Sequence, residues 1–271
     1  MRAAVLGAPI AHSLSPVLHR AAYAALGLHD WSYEAIECGE DELAPLLARS
    51  AEGWAGFSCT MPLKRVALAL AGDVDPVAAA VGAANTLLRR DGGCWSAAMT
   101  DPDGIVMALA ERRIAPGTVT VLGAGGTAQA AVAALVRMGV RRCVVLARDP
   151  ARTGAVRLTA QRLGVAVEIA PLRADAAALS AELIISTLPS GVADPLAERT
   201  WQAGQSLLDV CYDPWPTPLA SAFERAAGVV ATGALMLLFQ AATQVELMTG
   251  LPAPVAAMRS ALRAAAPACG V

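Results

Sequence analysis

Ser13 and Ser15 stand two residues apart in the turn GAPIAHSLSP, Thr60 and Lys64 four apart in CTMPLK, and Asn85 and Asp101 follow in AANTL and MTDPDG. They supply hydroxyls, an ammonium, an amide and a carboxylate, an inventory suited to a polyhydroxylated acid. Plainer roles stand beside this one. Ser15, just before Pro16, has the position of a helix N-cap, and a single lysine after a strand is usually solvated. The spacing of Thr60 and Lys64 counts against coincidence, since one helical turn brings residues four apart together. So does placement: ligands of open α/β sheets sit beyond strand ends, and each of these residues falls at or just past the end of an apparent strand.

A second constellation lies mid-chain. VTVLGAGGTA (119–128) is an apolar, β-branched run ending in a glycine-rich turn. Gly123, Gly125 and Ala128 fit the G-x-G-x-x-G/A spacing, which allows a tight turn, close approach of backbone to a pyrophosphate, and close helix–strand packing. The helix that follows, starting at Gly126 and Thr127, presents unpaired N–H groups and a positive dipole end to phosphate. A glycine triplet alone is weak, because any tight strand–helix turn favours glycine. The cofactor's ribose is read at the end of the next strand, VVLARDPAR. An acidic residue there bonds free ribose hydroxyls, whereas arginine meets a 2′-phosphate. Arg148 and Arg152 offer bidentate donors to phosphate and point to NADP, while Asp149 between them keeps NAD open.

The elements that must hold these groups alternate. RAAVLG reads as a strand, Pro16 to Leu26 as a helix, WSYEAIE as a strand, Asp41 to Ala48 as a helix and WAGFSCT as a strand. Helices around Leu63 to Leu70 and Pro76 to Ala80 precede two short strands, ANTLLRR and CWSAAM, which flank an Asp91-Gly92-Gly93 turn. A helix begins near Asp101 and is expected to end at Pro116-Gly117. A second alternating unit then runs through TVTVLG, RRCVVLA, a helix from Pro150 to Leu163, AVEIA, a short helix near Ala174 to Leu179, ELIISTLP, SLLDVCY and GVVAT. The closing helices, GALMLLFQAATQVELMTG and PAPVAAMRSALRAA, lie beyond the last strand and are expected to return to the first unit. The fold class is therefore two α/β domains: a discontinuous substrate-binding and catalytic domain (1–101 plus 237–271) and a Rossmann-type dinucleotide-binding domain (102–236).

Composition narrows the partners. Of 271 residues, 56% are hydrophobic but only 4% aromatic, so the core is built from Ala, Val and Leu. A net charge of -2 with no basic stripe argues against nucleic acid and anionic membranes, leaving a small polar ligand. The six cysteines (Cys38, Cys59, Cys94, Cys143, Cys211, Cys269) form no CxxC or His/Cys cluster, so neither a zinc site nor a disulfide framework is signalled. MRAAVLGAPI is too short an apolar stretch for a signal peptide, and no run reaches membrane-spanning length; a soluble, cytoplasmic chain is expected. Monomer and homodimer both stand open.

Taken in order, GAPIAHSLSPVLH, TMPLK, VGAANTL, TDPDG, VLGAGGTA, STLPSG, VCYDPWPTPL and GALMLLFQAA resemble the shikimate dehydrogenase family, particularly its actinobacterial members. The resemblance spans about residue 7 to about residue 260. It implies reversible, NADPH-dependent reduction of 3-dehydroshikimate to shikimate, a step toward aromatic amino acids and chorismate, in a cleft between the two domains. By motif, Ser13 and Ser15 bind the substrate carboxylate, assisted by Tyr212; Lys64 and Asp101 are the catalytic pair; Thr60, Asn85 and Gln240 hold ring hydroxyls. Thr187 and Gly191 in STLPSG, with Gly233 and Met236, match positions lining the nicotinamide, although core packing accounts for Met236 as well. The chemistry suits these types: hydride leaving a carbinol carbon requires removal of the hydroxyl proton, and the reverse requires a proton beside the nascent alkoxide.

Two departures qualify the match. Ser58 stands where relatives have Asn. Met99 replaces an Asn before Thr100-Asp101, exchanging an amide for a thioether with no donor. Gln244 shares the face of Gln240 on an otherwise apolar helix and requires a partner or serves packing alone. His12 carries no evident proton role. Quinate or aminoshikimate stands as an alternative substrate, and a non-catalytic nucleotide or metabolite sensor as an alternative function.

Overall fold

The computed structural model describes residues 1–50 and 52–271. The chain divides into two compact units, one of Met1–Thr100 with Leu238–Ala266, the other of Asp101–Leu237 with Pro267–Val271.

In the first unit, β1 (Arg2–Gly7) leads through α1 (Ser15–Ala25) to β2 (Ser32–Glu37), and α2 (Glu40–Arg49) leads to β3 (Trp54–Cys59). Ala3 to Leu6 of β1 are all buried, the continuous apolar run of a strand covered on both faces. Next come α3 (Lys64–Leu70), the two-residue β4 (Asp73–Val74), α4 (Pro76–Val81), and a hairpin of β5 (Thr86–Arg89) and β6 (Trp95–Ala98). The sheet order is β2-β1-β3-β5-β6-β4. β1 runs parallel to β2 and β3, whereas β5 is antiparallel to both β3 and β6. This reversal brings the start of β5 and the end of β6 to the edge where β1 and β3 end. Leu18, Tyr33, Phe57, Leu63 and Leu87 are fully buried, each large apolar side chain contributing about 1.5–3 kcal/mol of transfer free energy.

The second unit starts with α5 (Asp101–Glu111) and continues through β7 (Val119–Leu122), α6 (Gly126–Arg137), β8 (Arg142–Ala147), α7 (Gly154–Leu163) and β9 (Ala166–Pro171). β10 (Leu183–Ser186), β11 (Ser206–Asp209), α8 (Pro218–Arg225) and β12 (Val229–Thr232) complete its sheet. The order is β12-β11-β10-β7-β8-β9, with every pairing parallel. Counted from β7 this is the doubly wound dinucleotide-binding order, whose ligand crevice lies where the order reverses, between β7 and β10.

The chain closes with α9 (Gly233–Thr249) and α10 (Val255–Ala265). From Leu238 onward these helices belong to the first unit, where α10 packs on α1. The last residues differ from expectation: Pro267–Val271 join the nucleotide unit, held there by Arg112 Nη2 donating to the Gly270 carbonyl at 2.8 Å and by burial of Cys269.

Other differences are local. The helix from Asp101 ends at Glu111, before Pro116-Gly117, at a left-handed Arg113. The helix expected from Pro150 is a 3-10 turn to Arg152 followed by α7, and the one near Ala174 is a 3-10 turn over Ala177–Ser180.

Candidate active site

In the first unit, backbone hydrogen bonds gather the polar residues at one sheet edge. Thr60 N–H donates to the Leu6 carbonyl at 2.9 Å, Cys59 N–H to Asn85 O at 2.7 Å, and Asn85 N–H to Ala98 O at 3.1 Å. The Ala84 N–H reaches the Lys64 carbonyl at 2.8 Å, so the lysine and the segment entering β5 are tied together. Lys64 is the first residue of α3 and half-buried. Thr60 and Lys64 do not share a helix: Thr60 to Leu63 form a turn closed by Leu63 N–H to Thr60 O at 2.8 Å, and α3 starts only at Lys64. Asn85 lies before its strand, which starts at Thr86. Because β5 runs antiparallel, its leading end shares the edge with the trailing ends of its neighbours.

Asn85 sits in a buried hydrogen-bonded cluster. Its Oδ1 accepts from Thr100 N–H and from Thr86 Oγ1, both at 2.9 Å, while its Nδ2 donates to Thr100 Oγ1 at 2.9 Å and to Gln240 Oε1 at 3.3 Å. Gln244, one turn further along α9, donates through Nε2 to the Asn85 carbonyl at 3.1 Å and to Thr86 Oγ1 at 2.9 Å. Its Oε1 accepts from Ser58 Oγ at 2.8 Å, and Ser58 accepts from Tyr33 Oη at 2.6 Å. Gln244 therefore has partners, and Ser58 is part of the same chain. Met99 is buried, and its N–H donates to Asp75 Oδ2 at 3.0 Å. Burial pushes the neighbouring Cys59 thiol up to about 12, with the Lys64 charge opposing only in part, so this sulfur stays a thiol.

The turn after β1 carries Ser13 and Ser15. Ser13 Oγ accepts the Ser15 N–H at 3.3 Å, and the N-cap position of α1 belongs to Leu14, not Ser15. Ser15 is buried and Ser13 half-buried. His12 is exposed in the same turn.

In the second unit, Gly123 adopts φ +104°, a region that favours glycine, and a Cβ there would lie 2.6 Å from Thr187 Oγ1. Thr187 Oγ1 itself donates to the Leu122 carbonyl at 2.7 Å, which holds the β10 end against the glycine turn. A Cβ on Gly125 or Gly126 would meet open space, and Ala128 is buried against the sheet. Half-buried Thr127 lies in the first turn of α6. Gly123 N–H donates to Leu146 O at 2.8 Å, so the end of β8, with exposed Arg148 and Arg152, lies beside the turn. Asp149 Oδ1 accepts the Ala151 N–H at 3.0 Å and so caps the 3-10 turn between the two arginines. An open glycine turn, a helix N-terminus and neighbouring arginines fit a phosphorylated dinucleotide.

Asp101 is buried as the first residue of α5. Tyr212 is half-buried, and its phenol is pushed up by burial and then by the neighbouring Asp213 carboxylate, which keeps it a donor. Its loop is fastened by Asp209, whose Oδ2 accepts from Thr217 Oγ1 at 2.8 Å and whose Oδ1 accepts from Cys211 N–H at 3.2 Å. Gly191 is exposed in the turn after β10. Gly233 opens α9 where a Cβ would strike the Val210 carbonyl, and Met236 is 8% exposed. Among the described residues no cluster of His, Cys, Asp and Glu is built to hold a metal, and no helix is long and apolar enough to cross a membrane.

This arrangement has counterparts. A model of the shikimate dehydrogenase substrate binding domain matches residues 5–87, and one of the shikimate 5′-dehydrogenase C-terminal domain matches residues 233–263. A shikimate dehydrogenase (NADP(+)) of Moorella thermoacetica is 34% identical over 97% of this chain and 92% of its own. The chain belongs to the shikimate dehydrogenase family. Mycobacterium tuberculosis shikimate dehydrogenase is 46% identical and superposes with a TM-score of 0.88 over 97% of this chain and 99% of its own. The Thermus thermophilus enzyme, solved with NADP(H) and shikimate, is 33% identical with a TM-score of 0.86, over 98% and 99%. The actinobacterial resemblance and the two-domain α/β fold, with its Rossmann-type sheet, both hold.

Tyr33, Ser58, Thr86 and Asp75 were not singled out as site partners from sequence. Only Asp75 had a local signal, an Asp immediately before Pro76, which marks an N-cap. The others are recognisable only through contacts between segments far apart in the chain.

Proposed function

We propose that this family member interconverts shikimate and 3-dehydroshikimate with NADP(H). One observation carries the assignment to particular residues: Thr60, Lys64, Asn85, Thr100 and Gln240 converge at one sheet edge, on a chain whose relatives across nearly their full length bear this activity. Ser13 and Ser15 receive the carboxylate, with Tyr212 as a further donor. Thr60, Asn85 and Gln240 hold ring hydroxyls. Lys64 takes the hydroxyl proton as the carbinol carbon loses hydride, and returns it to the oxygen in the reverse direction. Asp101 is the second catalytic group. Bound NADPH would supply the hydride in one direction and bound NADP would accept it in the other. Gly123, Gly125, Gly126, Thr127 and Ala128 bring backbone to its pyrophosphate, Arg148 and Arg152 meet its 2′-phosphate with Asp149 shaping their turn, and Thr187, Gly191, Gly233 and Met236 line the nicotinamide end.

The test is turnover of the purified protein with shikimate, quinate or an aminoshikimate, each with NADP or NAD, following reduced nicotinamide. Shikimate with NADP is expected to be fastest, and silence with every pair would sink the enzymatic function. Lys64→Ala should lower kcat by about 10²–10⁴-fold with little change in substrate KM. Unchanged kcat would remove the lysine from the mechanism.

A further inference from the structure

Gln244 is 1% exposed, and its hydrogen bonds have a defined direction. The Asn85 carbonyl can only accept, so the Gln244 atom 3.1 Å from it is the amide nitrogen. Oε1 then faces Ser58, which must donate, leaving Ser58 to accept from Tyr33. The other Nε2 hydrogen reaches Thr86 Oγ1, whose proton passes to Asn85 Oδ1. With Thr100 N–H on the same oxygen, Oδ1 receives two donors, and Asn85 must turn its nitrogen toward Thr100 Oγ1 and Gln240 Oε1. Helix α9 thus grips Asn85 twice, at the side chain through Gln240 and at the main chain through Gln244. In a buried network each bond polarises the next, and loss of one member leaves the others unsatisfied.

We propose that Gln244 is a positioning residue for substrate recognition: with Ser58 and Thr86 it fixes the backbone and amide sense of Asn85, and so the geometry in which Asn85 and its partner Gln240 meet a ring hydroxyl. This rests on the substrate role proposed above for Asn85. A residue that only stabilised the fold would change the unfolding midpoint and leave the balance between substrate and cofactor untouched.

The experiment measures KM for shikimate and for NADP in Gln244→Met, Asn85→Ala and the double variant. Gln244→Met, close in volume but without donor or acceptor, should raise shikimate KM about tenfold while NADP KM stays within about twofold. On the Asn85→Ala background the same change should add less than about twofold, the signature of residues acting through one another. Wild-type shikimate KM in Gln244→Met, equal rises in both KM values, or a fully additive double variant would overturn the proposal. Should Gln244→Met fail to fold, Ser58→Ala decides by the same criterion: it removes the donor to Oε1 and should raise shikimate KM about threefold, and an unchanged value overturns the proposal. If Asn85→Ala leaves shikimate KM unchanged, the role of Asn85 falls first and this inference with it.

Discussion

Asp75 Oδ2 accepts the backbone N–H of Met99 at 3.0 Å, while its Oδ1 caps α4 through Val77 N–H at 2.7 Å and Ala78 N–H at 3.1 Å. One carboxylate therefore holds both the start of a helix and the segment leading to Thr100 and Asp101. The Met99 side chain has no donor with which to orient this loop, yet the backbone of residue 99 is anchored by a side chain from elsewhere. Asp75→Ala should cost about 1–2 kcal/mol through loss of the cap, and also lower kcat/KM as the loop loosens. Asp75→Asn keeps one acceptor and should fall between. Met99→Leu preserves the buried volume and should leave kcat/KM within about threefold of wild type. Urea unfolding and initial rates on the four proteins check this. An activity loss in Met99→Leu as large as in Asp75→Ala would show that the thioether, not the carboxylate, holds the loop.

The alternation of strands and helices was legible because each element carries its own period and punctuation, as VTVLGAGG does for β7 and its turn. Lys64, Asn85 and the serine turn were legible as polar residues at apparent strand ends. Less legible was why Asn85 belongs with Lys64: the antiparallel β5 presents its leading end, and strand direction is a pairing property written in no local pattern. β4 spans two residues, too few to show a period. The bonds from Gln244 to Ser58 and to Thr86 join residues 186 and 158 positions apart, and nothing in either segment names the other. Return of Pro267–Val271 to the nucleotide unit likewise depends on a long-range partner, Arg112.

Arg148 is exposed at the end of β8, beside the glycine turn, and Asp149 is engaged in capping its own turn. A charged hydrogen-bonded contact to a 2′-phosphate contributes about 1.5–3 kcal/mol, equivalent to roughly 10- to 150-fold in affinity. Arg148→Ala should therefore raise KM for NADP by about 10- to 100-fold and change KM for NAD by less than about threefold. Steady-state titration of each cofactor at saturating shikimate measures both. Matching losses would mean that Arg148 does not read the phosphate.

His19 lies in α1 wholly out of solvent, stacked on Tyr33 with ring centroids 3.9 Å apart, and its Nδ1 is 3.4 Å from Tyr23 Oη. Its Nε2 lies outside hydrogen-bonding geometry of every described residue, Gln244 included. Burial lowers its pKa from 6.5 to about 3. The native imidazole therefore stays neutral while the unfolded chain takes up a proton near 6.5. Stability from this group is complete above that pH and is lost as pH falls from 6.5 toward 3, at about 1.4 kcal/mol per unit. Between pH 7 and pH 5 the loss is about 2 kcal/mol. His19→Leu cannot protonate, so its deficit relative to wild type, measured by urea unfolding, should shrink by about that amount on going from pH 7 to pH 5. The neighbouring Tyr23 and Tyr33 phenols are pushed up by burial and do not titrate in this window. A deficit that stays constant between the two pH values would mean that His19 is protonated as readily in the native protein as in the unfolded chain.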